Sequence, residues 1–81
     1  MAMHALYILY SQAHGRYYVG STKDVPERLR RHNAGLVKST KAYRPWILVY
    51  KEDFTTRSEA RKREAQIKRY KSGRAFQKLV K

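Results

Sequence analysis

The stretch HALYILYSQAHGRYYVG, residues 4–20, contains the segment that decides the fold. Residues His4–Tyr10 are apolar at almost every position and rich in strand formers, a pattern typical of a strand buried on both faces. Ser11–Gly15 supplies turn residues, and Arg16–Gly20 resumes as a second, short strand. The stretch therefore predicts a β-hairpin with a loop of four or five residues.

The placement of two hairpin tyrosines depends on the register of the strands. If the loop is Ser11–His14, with Tyr10 paired to Gly15, then Tyr7 lies opposite Tyr18 on one face of the sheet. A five-residue loop would put the two phenols on opposite faces, unless a bulge restored the register. Tyrosine is also simply a good strand residue, so a structural role is the alternative.

The first helix is predicted from the residues at its ends. Asp24 is suited to be the N-cap, and Glu27 lies three residues later in capping-box position. We expect this helix to run to about Asn33 and to stop at Gly35. A polar, basic loop with little periodicity follows over Leu36–Pro45.

The second half of the chain adds one strand and two helices. Trp46–Lys51 is predicted as the third strand, and a second capping box at Thr56 opens a longer helix to about Lys71. Ser72-Gly73 breaks that helix, and Arg74–Lys81 is expected to form a short terminal helix. The order β-β-α-β-α-α implies an α+β fold with a small three-stranded antiparallel sheet flanked by helices.

Length and composition restrict the protein class. The 81 residues leave room for one modest core, so residues 1–81 are expected to form a single domain. The chain has no cysteine, which excludes disulfides and thiolate zinc sites. Its longest apolar runs, Ala5–Tyr10 and Trp46–Tyr50, are too short to span a membrane, and Met1–His4 lacks the layout of a signal peptide. These features favour a soluble protein of the cytoplasm.

The net charge points to a polyanionic partner. Nineteen Lys and Arg against six Asp and Glu give a formal net charge of +13. Because a compact body with that charge repels itself, the excess usually serves DNA, RNA or an anionic membrane. Seven tyrosines and one tryptophan can stack on bases or contact sugars, which favours nucleic acid. A solvated basic surface is the simpler alternative.

Polar residues at core-facing positions identify a possible site on the first helix. Val25, Leu29 and His32 follow helical spacing, and Arg28 lies beside them, so the arginine and the histidine share the stripe that should face the sheet. A flanking arginine with a packed stem, and a buried, hydrogen-bonded histidine, are the structural alternatives.

The second helix repeats this anomaly with a carboxylate. Ala60, Glu64 and Ile67 fall at i, i+4 and i+7, which places Glu64 in the apolar stripe. A carboxylate there is unfavourable unless it is paired or bound to a metal, so a salt bridge is the alternative. Glu64 joins Tyr7, Tyr18, Arg28 and His32 in a set of side chains able to bind a metal, carry protons and contact phosphate.

The ordered motifs resemble those of the GIY-YIG nuclease superfamily. Ala5-Leu6-Tyr7 is a loose version of Gly-Ile-Tyr, and Tyr18-Val19-Gly20 matches the second triplet. Arg28-Leu29 and His32-Asn33 follow on the first helix, and Glu64 occupies the slot of the family's metal-binding glutamate. The resemblance covers nearly the whole chain and is closest to the short, single-domain bacterial members described as predicted endonucleases.

This resemblance implies metal-assisted hydrolysis of a phosphodiester, with DNA the favoured substrate. Glu64 would be the sole protein ligand of a Mg²⁺ or Mn²⁺ ion, and Tyr7 would help to deprotonate the attacking water, directly or through a relay. Tyr18 would orient the phosphate or the water, Arg28 would bind the non-bridging oxygens, and His32 would position or relay a proton. Four lysines are candidates for contacts to the nucleic-acid backbone: Lys23, Lys38, Lys41 and Lys68.

Two other functions stay open at this stage. A non-catalytic nucleic-acid-binding module of the same fold would keep the charge without the chemistry. An interaction or membrane-surface protein would use the second helix, whose apolar face is small for stable anchoring. Because better-known family members carry further DNA-selecting domains, substrate choice here would rest on the domain's own surface, a partner protein or the shape of the nucleic acid.

Overall fold

A computed structural model of the chain describes residues 4–70 and 73–80. Expectations that fall on residues 1–3, Lys71, Ser72 and Lys81 lie outside the described residues. The elements in chain order are β1 (His4–Ser11), β2 (Arg16–Thr22), α1 (Val25–Asn33), β3 (Ile47–Phe54), α2 (Arg57–Tyr70) and α3 (Arg74–Val80), with a 3₁₀ turn at Lys41–Tyr43 before β3. The predicted α+β class and element order are confirmed.

The sheet has the order β2-β1-β3, with both pairings antiparallel. β1 is therefore the central strand, and Ala5–Leu9 is buried along its whole length. Because successive side chains of a strand point to opposite faces, β1 contributes to two separate cores. The central position of β1 explains its uninterrupted apolar run, which predicts a strand buried on both faces.

One core lies between the sheet and α1, and the other lies between the sheet and the two C-terminal helices. Tyr7 and Leu9 belong to the first core, together with Val25 and Trp46. The second core is formed by Leu6, Ile8, Val19, Ile67 and Phe76. The alternation along β1 thus assigns α1 to one face of the sheet and α2 and α3 to the other.

The hairpin loop has four residues, Gln12–Gly15, and Ser11 pairs with Arg16. The predicted pairing of Tyr10 with Gly15 is wrong by two positions, because Gly15 has a φ of +63° and belongs to the turn, where its N–H donates to the Ser11 carbonyl at 2.8 Å. Tyr7 therefore pairs with Gly20, and Tyr18 pairs with Leu9. A shift of two residues keeps the face of every side chain, so the tyrosines share one face as predicted.

The ends of α1 follow the sequence closely, but half of the predicted capping box is missing. The Glu27 N–H donates to Asp24 Oδ1 at 3.1 Å, and Gly35 follows the helix with a φ of +79°. The Glu27 carboxylate pairs with Arg30 at 2.7 Å, and the Asp24 N–H donates to Thr22 Oγ1 at 3.2 Å. Asp24 therefore caps the N-terminus of α1, and its own N–H is bound by Thr22 instead of by Glu27.

The capping box of α2 forms completely. The Glu59 N–H donates to Thr56 Oγ1 at 3.2 Å, and the Thr56 N–H donates to Glu59 Oε1 at 3.3 Å. Ala60 and Ile67 are fully buried against the sheet. The start of α2 and the burial of Ala60 and Ile67 are therefore those predicted from the sequence; the described part of the helix extends to Tyr70, and the predicted end at Lys71 lies outside the described residues.

β3 begins one residue later than predicted because Trp46 is held by α1. The Trp46 N–H donates to Asn33 Oδ1 at 2.6 Å, and Asn33 Nδ2 donates to the Trp46 carbonyl at 3.0 Å. The indole N–H donates to the Thr40 carbonyl at 3.0 Å. These bonds fix the end of α1 and the following loop against the start of β3.

Within the described ranges, none of the helices combines the length and apolarity that a membrane crossing requires.

Asn33→Ala is expected to lower the free energy of unfolding by about 2 kcal/mol, because it removes both bonds and leaves two polar groups of Trp46 without their partner. Urea denaturation followed by Trp46 fluorescence measures this loss. Lys38→Ala, on the exposed part of the same loop, is the control and should match the wild type. Equal stability of Asn33→Ala and Lys38→Ala would show that the two hydrogen bonds between Asn33 and Trp46 are dispensable.

Candidate active site

A cleft of about 420 Å³ opens beside the central and second strands and is bordered by side chains of α1 and α2. Its cationic side chains are Lys23, Arg28, Arg57 and Arg61. Glu64 is the one carboxylate among the described residues that line it. The cleft is therefore strongly basic and offers a single acidic group.

Two of the predicted site residues, Tyr7 and Tyr18, meet at the floor of the cleft with ring centroids 6.1 Å apart. Gly20, directly across the sheet from Tyr7, leaves the space that both rings need. A Cβ atom at Gly20 would lie 2.7 Å from Tyr7 Oη and 3.0 Å from Tyr18 Cε2. The glycine of the second triplet is thus required by the close approach of the two phenols, a role that the sequence alone does not reveal.

His32 connects Tyr7 to the interior of the protein. Tyr7 Oη lies 3.1 Å from His32 Nε2, and His32 Nδ1 lies 2.7 Å from Thr40 Oγ1. The exposed fraction is 1% for Tyr7, 0% for His32 and 2% for Thr40. His32 is therefore both the buried, hydrogen-bonded histidine of the structural alternative and a direct neighbour of the predicted catalytic tyrosine.

The pKa shifts of this pair favour neutral groups at neutral pH. Burial raises the pKa of Tyr7 well above its ordinary value, the nearby Tyr18 and Glu64 side chains add to the rise, and Arg28 opposes it. Burial, and then the positive charge of Arg28, lower the pKa of His32. Tyr7 therefore keeps its proton in the resting protein, and His32 is an uncharged imidazole.

Glu64 reaches the cleft from α2 and is held by both of its oxygens. Ser21 Oγ donates to Oε1 at 2.8 Å, and Lys68 Nζ donates to Oε2 at 2.7 Å. The side chain is about 20% exposed, so it lies at the border of the apolar stripe rather than within it as predicted. The ion pair expected as the alternative exists, and the same carboxylate faces the cleft.

The donor set fits a hard divalent cation better than a soft one. Within residues 4–70 and 73–80, no group of three or more His, Cys, Asp or Glu side chains is placed to hold a metal ion. A single carboxylate in an open cleft suits Mg²⁺, which keeps several of its waters and seldom uses an all-protein cage. A zinc site would need three or four His, Cys, Asp or Glu ligands, and the described residues do not bring that many together.

The cationic side chains of α2 were missed in the sequence, although their spacing is informative. Arg57 and Arg61 precede Glu64 by seven and three residues, which places all three on one face of the helix. Ser21 and Thr40 carry no comparable signal, because their roles depend on contacts across the fold.

The four predicted backbone-contacting lysines divide into two groups. Lys23 lines the cleft, and Lys68 adjoins it through its ion pair with Glu64. Lys38 and Lys41 are exposed in the segment between α1 and β3 and do not line the cleft.

Comparison with known proteins agrees with the sequence motifs. The family model described as the GIY-YIG catalytic domain matches residues 3–77. A UPF0213 protein of Staphylococcus epidermidis is 48% identical over 71 residues, and a UPF0213 protein of Staphylococcus aureus is 46% identical over 71 residues; each match covers 86% of this chain and 85% of the relative. The chain is also similar to the solution NMR structure of a UPF0213 protein from Bacillus halodurans, with a TM-score of 0.52, 32% identity, and coverage of 93% of this chain and 78% of that one.

Acidification is expected to destabilise the fold partly through His32. In the unfolded chain a histidine binds a proton below about pH 6.5, whereas the pKa of His32 is lowered in the folded protein. The contribution of His32 to the free energy of unfolding is therefore fully present above about pH 6.5 and is lost as the pH falls below it. Thermal unfolding of the wild type and of His32→Gln between about pH 7.5 and 5 measures this contribution, since the carboxylates common to both proteins cancel. The wild type should lose stability more steeply; parallel curves would mean that His32 is not held neutral.

Proposed function

The chain belongs to the GIY-YIG family, a nuclease superfamily, and from that membership we propose that it is a metal-dependent endonuclease that hydrolyses phosphodiester bonds in DNA. The observation that carries the proposal is the shared cleft of Tyr7, Tyr18, Arg28 and Glu64. A purely binding surface has no use for a carboxylate among cationic side chains, since it would repel phosphate.

The cationic rim of the cleft supplies affinity for a polyanion. Lys23, Arg57 and Arg61 border the space in which Arg28 meets the tyrosines. Contacts of this kind neutralise phosphates and release counterions, so they bind without regard to sequence. The shape of the DNA, or a partner protein, then selects the substrate of this single domain, and DNA repair or recombination in the cytoplasm is the setting that we propose.

Glu64 is the residue that would hold a Mg²⁺ or Mn²⁺ ion. When bound, such an ion lowers the pKa of its water and neutralises charge on the phosphate. Ser21 and Lys68 each bind one oxygen of Glu64 and so orient the carboxylate beforehand. Arg28 of α1 lines the same cleft, and its guanidinium would bind the non-bridging oxygens, where charge grows in the transition state.

Tyr7 and His32 move the proton of the attacking water. Because burial raises the pKa of Tyr7, a free phenolate is disfavoured, and the phenol accepts a proton only while it gives its own away. His32 Nε2, 3.1 Å from the phenol oxygen, receives that proton. Tyr18, packed against both rings, orients the phosphate or the water at the mouth of this pair.

A non-catalytic nucleic-acid-binding module of the same fold is the second candidate. The observation in its favour is that both oxygens of Glu64 already accept a bond, one from Ser21 and one from Lys68. A carboxylate compensated in this way behaves as an ordinary structural ion pair unless Lys68 yields to a divalent cation. Binding without cleavage is the outcome that would select this alternative.

Glu64→Gln is expected to abolish metal-dependent cleavage, by at least about 100-fold, because it removes the anionic ligand and keeps the shape of the side chain. Binding of DNA should be intact or tighter, since a negative charge leaves a basic cleft. The measurement is cleavage of labelled duplex, flap, junction and single-stranded DNA with Mg²⁺, Mn²⁺ or chelator. Glu27→Gln, whose carboxylate pairs with Arg30 on α1, is the matched control and should cut like the wild type.

Arg61→Ala is expected to weaken DNA binding similarly for all sequences and to reduce the slope of log affinity against log salt by about one, since one phosphate contact is lost. Fluorescence anisotropy at several salt concentrations measures both effects. Arg30→Ala is the control, because the Arg30 side chain is paired with Glu27 and does not line the cleft. Equal slopes for Arg61→Ala and the wild type would remove Arg61 from the binding surface.

A further inference from the structure

A buried chain of hydrogen bonds runs from the cleft to a backbone carbonyl. Tyr7 Oη lies 3.1 Å from His32 Nε2, and His32 Nδ1 lies 2.7 Å from Thr40 Oγ1. Thr40 Oγ1 in turn donates to the Val37 carbonyl at 3.3 Å. The three side chains are between 0% and 2% exposed. Because a carbonyl can only accept, the chain has a fixed end, and the protons along it have a preferred direction.

Counting donors and acceptors decides that direction. In one arrangement, the Thr40 hydroxyl donates to the Val37 carbonyl and accepts a bond from Nδ1–H of His32. The bare Nε2 of His32 then accepts from the Tyr7 hydroxyl, and every donor is satisfied. In the reverse arrangement, Thr40 donates to Nδ1 and Nε2–H donates to Tyr7. The Tyr7 hydroxyl would then lose His32 as its acceptor and keep only Tyr18 as a side-chain partner, so the first arrangement satisfies the buried chain better.

We propose that Thr40 is a positioning residue of the active site, which fixes His32 in the tautomer that presents a bare Nε2 to Tyr7. The inference rests on the proposed function for its catalytic consequence, because only this tautomer accepts the tyrosine proton. A neutral imidazole has one acceptor nitrogen, and the partner of the other nitrogen determines which one it is. Thr40 acts through His32 and does not touch the substrate.

The backbone around Thr40 is built to hold the hydroxyl in place. The N–H groups of Thr40 and Lys41 both donate to the Val37 carbonyl, at 3.1 and 3.0 Å, and form a tight turn. The Thr40 carbonyl accepts the indole N–H of Trp46 at 3.0 Å. The loop between α1 and β3, featureless in the sequence, thereby supports the chemistry of a residue one element away.

Long-range ¹⁵N–¹H NMR spectra of the His32 ring give a test that needs no nuclease activity. The wild type should show a protonated Nδ1 and a bare Nε2. Thr40→Val keeps the shape and removes the acceptor for Nδ1–H, so the ring should shift towards the Nε2–H tautomer. Thr40→Ser keeps the hydroxyl and should keep the wild-type tautomer.

Cleavage assays of the same variants measure the catalytic consequence. Thr40→Val should reduce kcat about 10- to 100-fold with little change in DNA affinity, which is the range that loss of an outer hydrogen-bond partner costs at metal-bound histidines. Thr40→Ser should recover most of the rate. A Thr40→Val protein that cuts as fast as the wild type would overturn the catalytic part of the proposal.

The spectra also separate this proposal from the proposed nuclease function. An Nε2–H tautomer in the wild type, or an unchanged tautomer in Thr40→Val, overturns the role of Thr40 even if the protein cuts DNA. The expected tautomers in a protein that never cuts would leave the positioning intact and refute the nuclease. If Thr40→Val fails to fold, the wild-type and Thr40→Ser spectra still decide, because each has a defined expected tautomer.

Discussion

Burial of β1 on both faces is the constraint on which the rest of the structure depends. A central strand has no solvent-facing side, so each of its residues must find a partner layer, and the alternation of its side chains distributes them between α1 on one face and α2 with α3 on the other. Tyr7 is one of these buried residues, and it also lines the cleft. The candidate catalytic tyrosine is thus held by the same packing that holds the fold, and its ring has little freedom to move.

The site divides into an uncharged, buried part and a charged, open part. Tyr7, His32 and Thr40 form the buried part, where low exposure keeps the groups neutral and makes hydrogen-bond direction decisive. Glu64 and the cationic rim form the open part, where water and phosphate have access. Arg28 belongs to the rim and also influences both pKa values of the buried pair. In the proposed mechanism, this arrangement keeps proton transfer apart from the binding of phosphate, and the two meet at the phenol oxygen of Tyr7.

Much of the site was predictable because local patterns determine it. The stripe of α1 predicts that His32 is buried, and this follows from the helical repeat alone. The α2 spacing predicts that Glu64 lies within the apolar stripe, whereas its side chain is about 20% exposed at the border of that stripe. The same repeat places Arg57 and Arg61 beside Glu64, so the helical spacing also predicts their position at the site. The hairpin register stayed open in the sequence, and the pairing considered for a four-residue loop differs by two residues from the observed one, because the turn conformation of Gly15 is not encoded in strand periodicity.

Local sequence patterns predict the elements, their order, the buried faces of the helices and the family motifs, since these depend on residues that are neighbours along the chain or along one helix. Three further features become visible in the folded protein: Gly20 leaves space for two phenols, Ser21 binds Glu64, and Thr40 binds His32. The physical reason is that these contacts join different elements, or a helix to an irregular loop. Their hydrogen bonds depend on distances set by packing, which no periodicity in the sequence encodes.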